Sequence, residues 1–152
     1  PQQVTLVPDL PGALTSDNGW DTITNASFLR DVIFEIKKTG ARVSLFIDLI
    51  EQLIEGAADV QADRIEYYTG PYAKIFTDNP EHAIRKYALT ANFADRLGLK
   101  INAGHDLNLD NLKYFKDHVP NLAEVSIGHA IVCDSLYYGL ENTIQMYRRC
   151  LA

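Results

Sequence analysis

The chain has 152 residues, enough for one domain with a substantial core. Apolar residues make up 47% and charged residues 22%, the balance of a soluble globular protein, and no apolar run approaches the length of a membrane span. With 14 Lys+Arg against 20 Asp+Glu the net charge is −6, and the absence of a basic block argues against a nucleic-acid partner.

The opening Pro1-Gln2-Gln3-Val4 has no basic region and no long apolar one, so it does not read as a signal peptide. It lacks Met and enters an apolar run at once, as expected of a sequence cut just before a strand. That strand, Val4 to Val7, leads into a long polar loop from Pro8 to Trp20. A helix is expected over 25–38, closed by Gly40 in a left-handed cap, then a strand over Arg42 to Ile47 and a helix over 49–58. A strand at Arg64 to Tyr67 follows. Asn79-Pro80 reads as a cap with proline at the first helical position, opening a helix over 80–97 that ends at Gly98. The last units are strand Leu99 to Asn102 with helix 109–118, and strand Glu124 to Ile127 with helix 131–149. In that final helix Leu136, Leu140, Ile144, Tyr147 and Leu151 fall on one face.

Five alternating β and α segments imply a parallel sheet, either an open doubly wound one or part of a barrel. Strand faces favour the barrel. A central strand covered by helices on both sides is apolar on both faces. Here Val43, Leu45, Ile47, Ile101, Val125 and Ile127 alternate with a second set that includes Arg42, Asp48, Arg64, Glu66, Lys100 and Glu124. A barrel accommodates this if the apolar set meets the helices and the polar set lines the lumen. Equal offsets from the strand ends then predict a buried ion pair between Lys100 and Glu124. The cysteines, Cys133 and Cys150, have no metal or redox spacing and read as buried thiols in a reducing cytoplasm.

The loops at the carboxyl ends of the strands are where such a protein does chemistry. His105 follows Asn102-Ala103-Gly104 directly, where an imidazole either exchanges protons or ties down the loop. Gly128 and His129 stand between a strand and a helix, which makes either an anion site on free helix amides or an ordinary tight turn. Glu66 shares a face with Arg64; in a closed lumen it is either paired structurally or used in the reaction. Thr69-Gly70 ends that strand with hydroxyl and amide donors. Thr15 and Ser16 lie in the long loop, which serves either the active site or a surface connection. His82 and His118 read as solvated surface residues, and no metal-ligand spacing is present.

Taken together, Leu6-Val7-Pro8-Asp9, Val43 to Asp48, Ile65 to Gly70, Asn102 to His105 and Ile127 to Ile131 resemble the pyridoxine 5'-phosphate synthase family, in order and over nearly the whole chain. The resemblance implies an α/β fold, a partial TIM (β/α)8 barrel comprising strands four to eight with their helices. Residues 1–152 would then be the C-terminal part of a single barrel domain whose first three βα units are absent. It implies condensation of 1-deoxy-D-xylulose 5-phosphate with 3-amino-2-oxopropyl phosphate to give pyridoxine 5'-phosphate, phosphate and water. No metal or organic cofactor is expected; a homo-oligomer in the cytoplasm is. His105 matches the family's proton donor and Glu66 its transition-state-stabilising carboxylate. Thr15 matches a contact to the deoxyxylulose phosphate, while Asp106, Gly128 and His129 match the site of the amino-ketone phosphate. Three positions depart from the family: Asp106 replaces a usual Gly, Tyr68 a usual His, and Asp9 a usual Glu. The family's Asn-Ile-Asp-His motif and its other catalytic His and Glu have no counterpart in these residues, so the segment alone is expected to be inactive. The competing readings are a half-barrel that only binds phosphate compounds or a partner, and another phosphate-binding barrel such as an aldolase or isomerase.

Overall fold

A computed structural model describes every residue except Leu10 and Leu14. Its strands are β1 (Gln3–Leu6), β2 (Arg42–Ile47), β3 (Arg64–Tyr67), β4 (Lys100–Ala103) and β5 (Leu122–Val125). Between and after them run α1 (Ala26–Lys37), α2 (Glu51–Asp59), α3 (Gly70–Phe76), α4 (Pro80–Arg96), α5 (Leu112–His118), α6 (His129–Tyr138) and α7 (Leu140–Cys150).

All pairings are parallel and the spatial order is β1-β2-β3-β4-β5, the same as the chain order. That order carries the topology. Parallel crossovers are right-handed, so a sheet that never reverses its order puts every helix on one face, whereas a doubly wound sheet must reverse. The apolar alternation fits this: Val43, Leu45, Ile47, Ile65, Ile101 and Ala103 are fully buried, in one core with Leu29, Ile33, Ile54, Ala91 and Phe115 of the helices.

The opposite face is polar and concave. In a flat sheet β1 and β5 would stand about 19 Å apart, four strand spacings. Instead Gln3 Nε2 of β1 reaches Glu124 Oε1 of β5 at 3.4 Å. Thr5 of β1 donates to Glu66 of β3 at 3.1 Å, and Arg64 of β3 reaches Glu124 at 2.8 Å. The sheet is therefore curled into an arc, consistent with a partial barrel whose lumen carries the polar residues.

Several local expectations need correction. Glu124 pairs with Arg64, not with Lys100: an irregularity between Ile101 and Asn102 sets Glu124 opposite Asn102, two positions nearer the carboxyl end of β4 than equal offsets assume. Arg64 spans β4 to it and also donates to Asn102 Oδ1 at 3.0 Å, while Lys100 is exposed. The single helix expected over 131–149 is two, because Gly139 adopts φ 77° and breaks it. The stripe from Leu136 to Leu151 is consequently split: Tyr147 is buried, whereas Leu136 is 82% exposed. Cys133 is exposed and Cys150 partly so; both are free thiols, and neither is the buried core thiol expected. Helix α3 has no counterpart in the sequence reading.

Other local expectations hold. Gly40 and Gly98 have φ of 80° and 77° at helix ends, and Asn79 Oδ1 accepts the His82 N–H to cap α4. His82 and His118 are exposed, as expected.

Candidate active site

The carboxyl ends of β1, β3, β4 and β5 meet around one open cavity of about 550 Å³. Thr15 comes to it from the loop after β1, His105 and Asp106 from the end of β4, and His129 from the start of α6. Four residues named from the sequence, from three distant stretches of the chain, thus share one wall. Gly128 caps α6 beside them, so the amides of the first turn of that helix open toward the same end of the sheet.

Glu66 lies one level deeper, on the concave face. Its Oε1 is 3.4 Å from where a Cβ on Gly104 would stand, so the glycine leaves the carboxylate room beneath the His105 turn. Burial pushes the Glu66 carboxyl above its ordinary range, opposed by the Thr5 hydroxyl that donates to Oε2 and by the positive potential of His105. A carboxyl held this way exchanges a proton nearer neutrality than a solvated one does.

His105 is partly exposed. Its Nδ1 lies 2.9 Å from Asp106 Oδ2 and its ring 6.0 Å from that of Tyr68. Burial, with Asp106 and Asp17 nearby, raises the Tyr68 phenol above its ordinary range. The Asp106 N–H is already donated to Thr69 Oγ1 at 3.3 Å, and the carboxylate is turned to the imidazole. The Thr69 hydroxyl in turn donates to the Gly104 carbonyl at 3.0 Å, so it braces the end of β4 and is not a free donor at the strand end.

Three contributors escaped the sequence reading. Thr5 could have been found by carrying the β1 alternation onto the lumen face. Asn102 and Tyr68 were visible only as parts of motifs. Among the described residues no group of three or more His, Cys, Asp or Glu is arranged to hold a metal ion, and no helix is long and apolar enough to cross a membrane. A second hollow of about 510 Å³, between α3, α4 and the end of β2, includes none of His105, Glu66 or the start of α6.

Comparison with known proteins identifies the family. The family model described as "Pyridoxal phosphate biosynthesis protein PdxJ" matches residues 1–152. The chain is 59% identical over 149 residues to the pyridoxine 5'-phosphate synthase of Cytophaga hutchinsonii, covering 98% of this chain and 63% of that protein. It is 52% identical over 151 residues to the synthase of that name from Christiangramia forsetii, covering 99% of this chain and 64% of the relative. For the Flavobacterium johnsoniae synthase the identity is 49% over 151 residues, with 99% and 64% covered. The chain therefore spans a little under two thirds of the length of these relatives. With every one of its residues inside the matching model, it belongs to the PdxJ family of pyridoxal phosphate biosynthesis proteins.

Proposed function

We propose that this chain forms strands four to eight of a (β/α)8 barrel, the C-terminal part of one domain, in a pyridoxine 5'-phosphate synthase. The reaction joins 1-deoxy-D-xylulose 5-phosphate to 3-amino-2-oxopropyl phosphate and releases pyridoxine 5'-phosphate, inorganic phosphate and water. The observation that carries this reading is the shared cavity of Thr15, His105, Asp106 and His129 above a buried Glu66.

The chemistry asks for these groups. An amine and a ketone condense, a phosphate departs, and ring closure expels water, so protons must be delivered and removed several times at one place. His105 is the donor to a leaving hydroxyl in the late steps. Glu66, whose carboxyl is pushed above its ordinary range by burial, stabilises positive charge when ionised and returns a proton when not. Thr15 contacts the deoxyxylulose phosphate. The α6 amides at Gly128 and His129 hold the amino-ketone phosphate, with Asp106 at the border of that site. No metal or organic cofactor is part of the scheme. The first three βα units of the barrel supply the remaining acid–base groups, and the enzyme works as a cytoplasmic homo-oligomer.

The test is turnover. The full-length protein, given both substrates, should form pyridoxine 5'-phosphate with release of phosphate, and residues 1–152 alone should not. His105→Ala should keep the fold but lose at least ~10²-fold in rate, the usual contribution of a general acid. Near-normal turnover in that variant would refute the role given to His105. No product from the full-length protein would refute the synthase reading.

A further inference from the structure

We propose that Asp106 is a positioning residue for His105: its carboxylate keeps the imidazole proton on Nδ1 and leaves Nε2 as the nitrogen that gives up and regains the catalytic proton. This rests on the donor role assigned to His105 above. The observation is the 2.9 Å contact between Asp106 Oδ2 and His105 Nδ1.

A carboxylate that close to a ring nitrogen repels a lone pair there and attracts an N–H, so one tautomer is selected. The geometry holds Asp106 to this task from both sides of its peptide. Its N–H is donated to Thr69 Oγ1 at 3.3 Å, and its carbonyl accepts from Asn111 Nδ2 at 3.2 Å. Thr69 and Asn111 are both buried, so the backbone at 106 is anchored in the body of the domain and its side chain is carried with it. On another side of the imidazole stands the Tyr68 ring.

This arrangement accounts for a carboxylate tolerated beside a phosphate site. With His105 protonated, the pair sums to zero charge, so an incoming phosphate meets no net repulsion from it. In the donating step the Nε2–H bond breaks and the proton passes to the hydroxyl oxygen of the intermediate. That oxygen leaves as water with the electrons of its C–O bond. His105 is left neutral, its remaining proton on Nδ1 against Asp106. An acid oriented by a third group is a recurring solution to this problem, and partners that orient metal-ligating histidines, an analogous task, are worth roughly 10- to 100-fold in affinity or activity.

The test uses the full-length protein with ¹⁵N-labelled histidine, read by long-range proton–nitrogen correlation through the titration of each imidazole. Neutral His105 should be the Nδ1–H form in the unsubstituted protein. Asp106→Gly should move it to the Nε2–H form, which neutral imidazole side chains favour in water. Asp106→Asn, which keeps the size but removes the charge, should move it part of the way to Nε2–H. In parallel, Asp106→Gly should lower kcat by roughly 10- to 100-fold without raising KM for the amino-ketone phosphate, and Asp106→Asn should lose less. An Nε2–H form in the unsubstituted protein, or a glycine variant with unchanged kcat, would overturn the proposal. Absence of turnover in the unsubstituted protein would overturn the synthase reading instead, and the imidazole spectra would still decide the Asp106 contact.

Discussion

Removing the two ends of the Arg64–Glu124 contact should cost unequal amounts, because they are unequally exposed. The Arg64 side chain is 13% exposed and that of Glu124 42%. Breaking a fully buried pair costs about 3–5 kcal/mol, and the exposed end screens part of this. Glu124→Ala leaves a nearly buried guanidinium with only Asn102 Oδ1 at 3.0 Å, so a loss of about 2 kcal/mol is expected, within the range for charged hydrogen bonds. Arg64→Met preserves volume and lets Glu124 hydrate, but strips the fully buried Asn102 of a donor, for about 1 kcal/mol. Once Arg64 is gone, Glu124 has little left to do, so the double variant should lose no more than Arg64→Met alone, within about 0.5 kcal/mol. Urea unfolding followed by Trp20 fluorescence reads these values. With a slope near 2 kcal/mol per molar, a loss of about 2 kcal/mol moves the midpoint by about 1 M. Costs that simply add in the double variant would refute the pairing. Lys100→Met is the control and should stay within about 0.5 kcal/mol of the parent, since Lys100 is exposed.

Burial raises the Glu66 carboxyl, so the native protein holds that proton more tightly than the unfolded chain does. Stability is then full below the unfolded value and falls as pH rises through the native one. Glu66→Gln should be more stable than the parent near neutral pH, with the gap closing toward about pH 4; a variant less stable at neutrality would contradict this. Gly19→Ala should cost at least about 2 kcal/mol in thermal or urea unfolding, because its Cβ would stand 2.5 Å from Ile47 Cα and collide with the Asp48 amide. Phe115→Ala should cost about 3–5 kcal/mol, since the ring is fully buried and edge-on to Tyr72 and Tyr87 at 5.0 and 5.4 Å.

Much of the fold was legible because it follows from alternation and punctuation. The bounds of β2 and β3 are those read from the sequence, and the capping residues Gly40, Asn79 and Gly98 fall where they were expected. What escaped is non-local. The α6–α7 break depends on the backbone angle of one glycine inside a continuous helical pattern, where propensity alone argues only weakly for an end. Glu124 met the wrong partner in the sequence reading because strand register across an irregularity is not written in either strand. Arg64, two strands away, has the length to reach where Lys100 does not point. For the site, strand-end residues such as His105 could be named one by one, since chain order places them at loops. Their gathering around one cavity with Thr15 required the curl of the sheet. The contact of the Asp106 carboxylate with His105 depends on a side-chain rotamer that no motif records.

The strand order described above also bears on how the chain is made. Within these five strands, each of β2 to β5 pairs with the one synthesised just before it. Loop-closure entropy across these units is therefore met in modest steps, one βα unit at a time, as residues leave the ribosome.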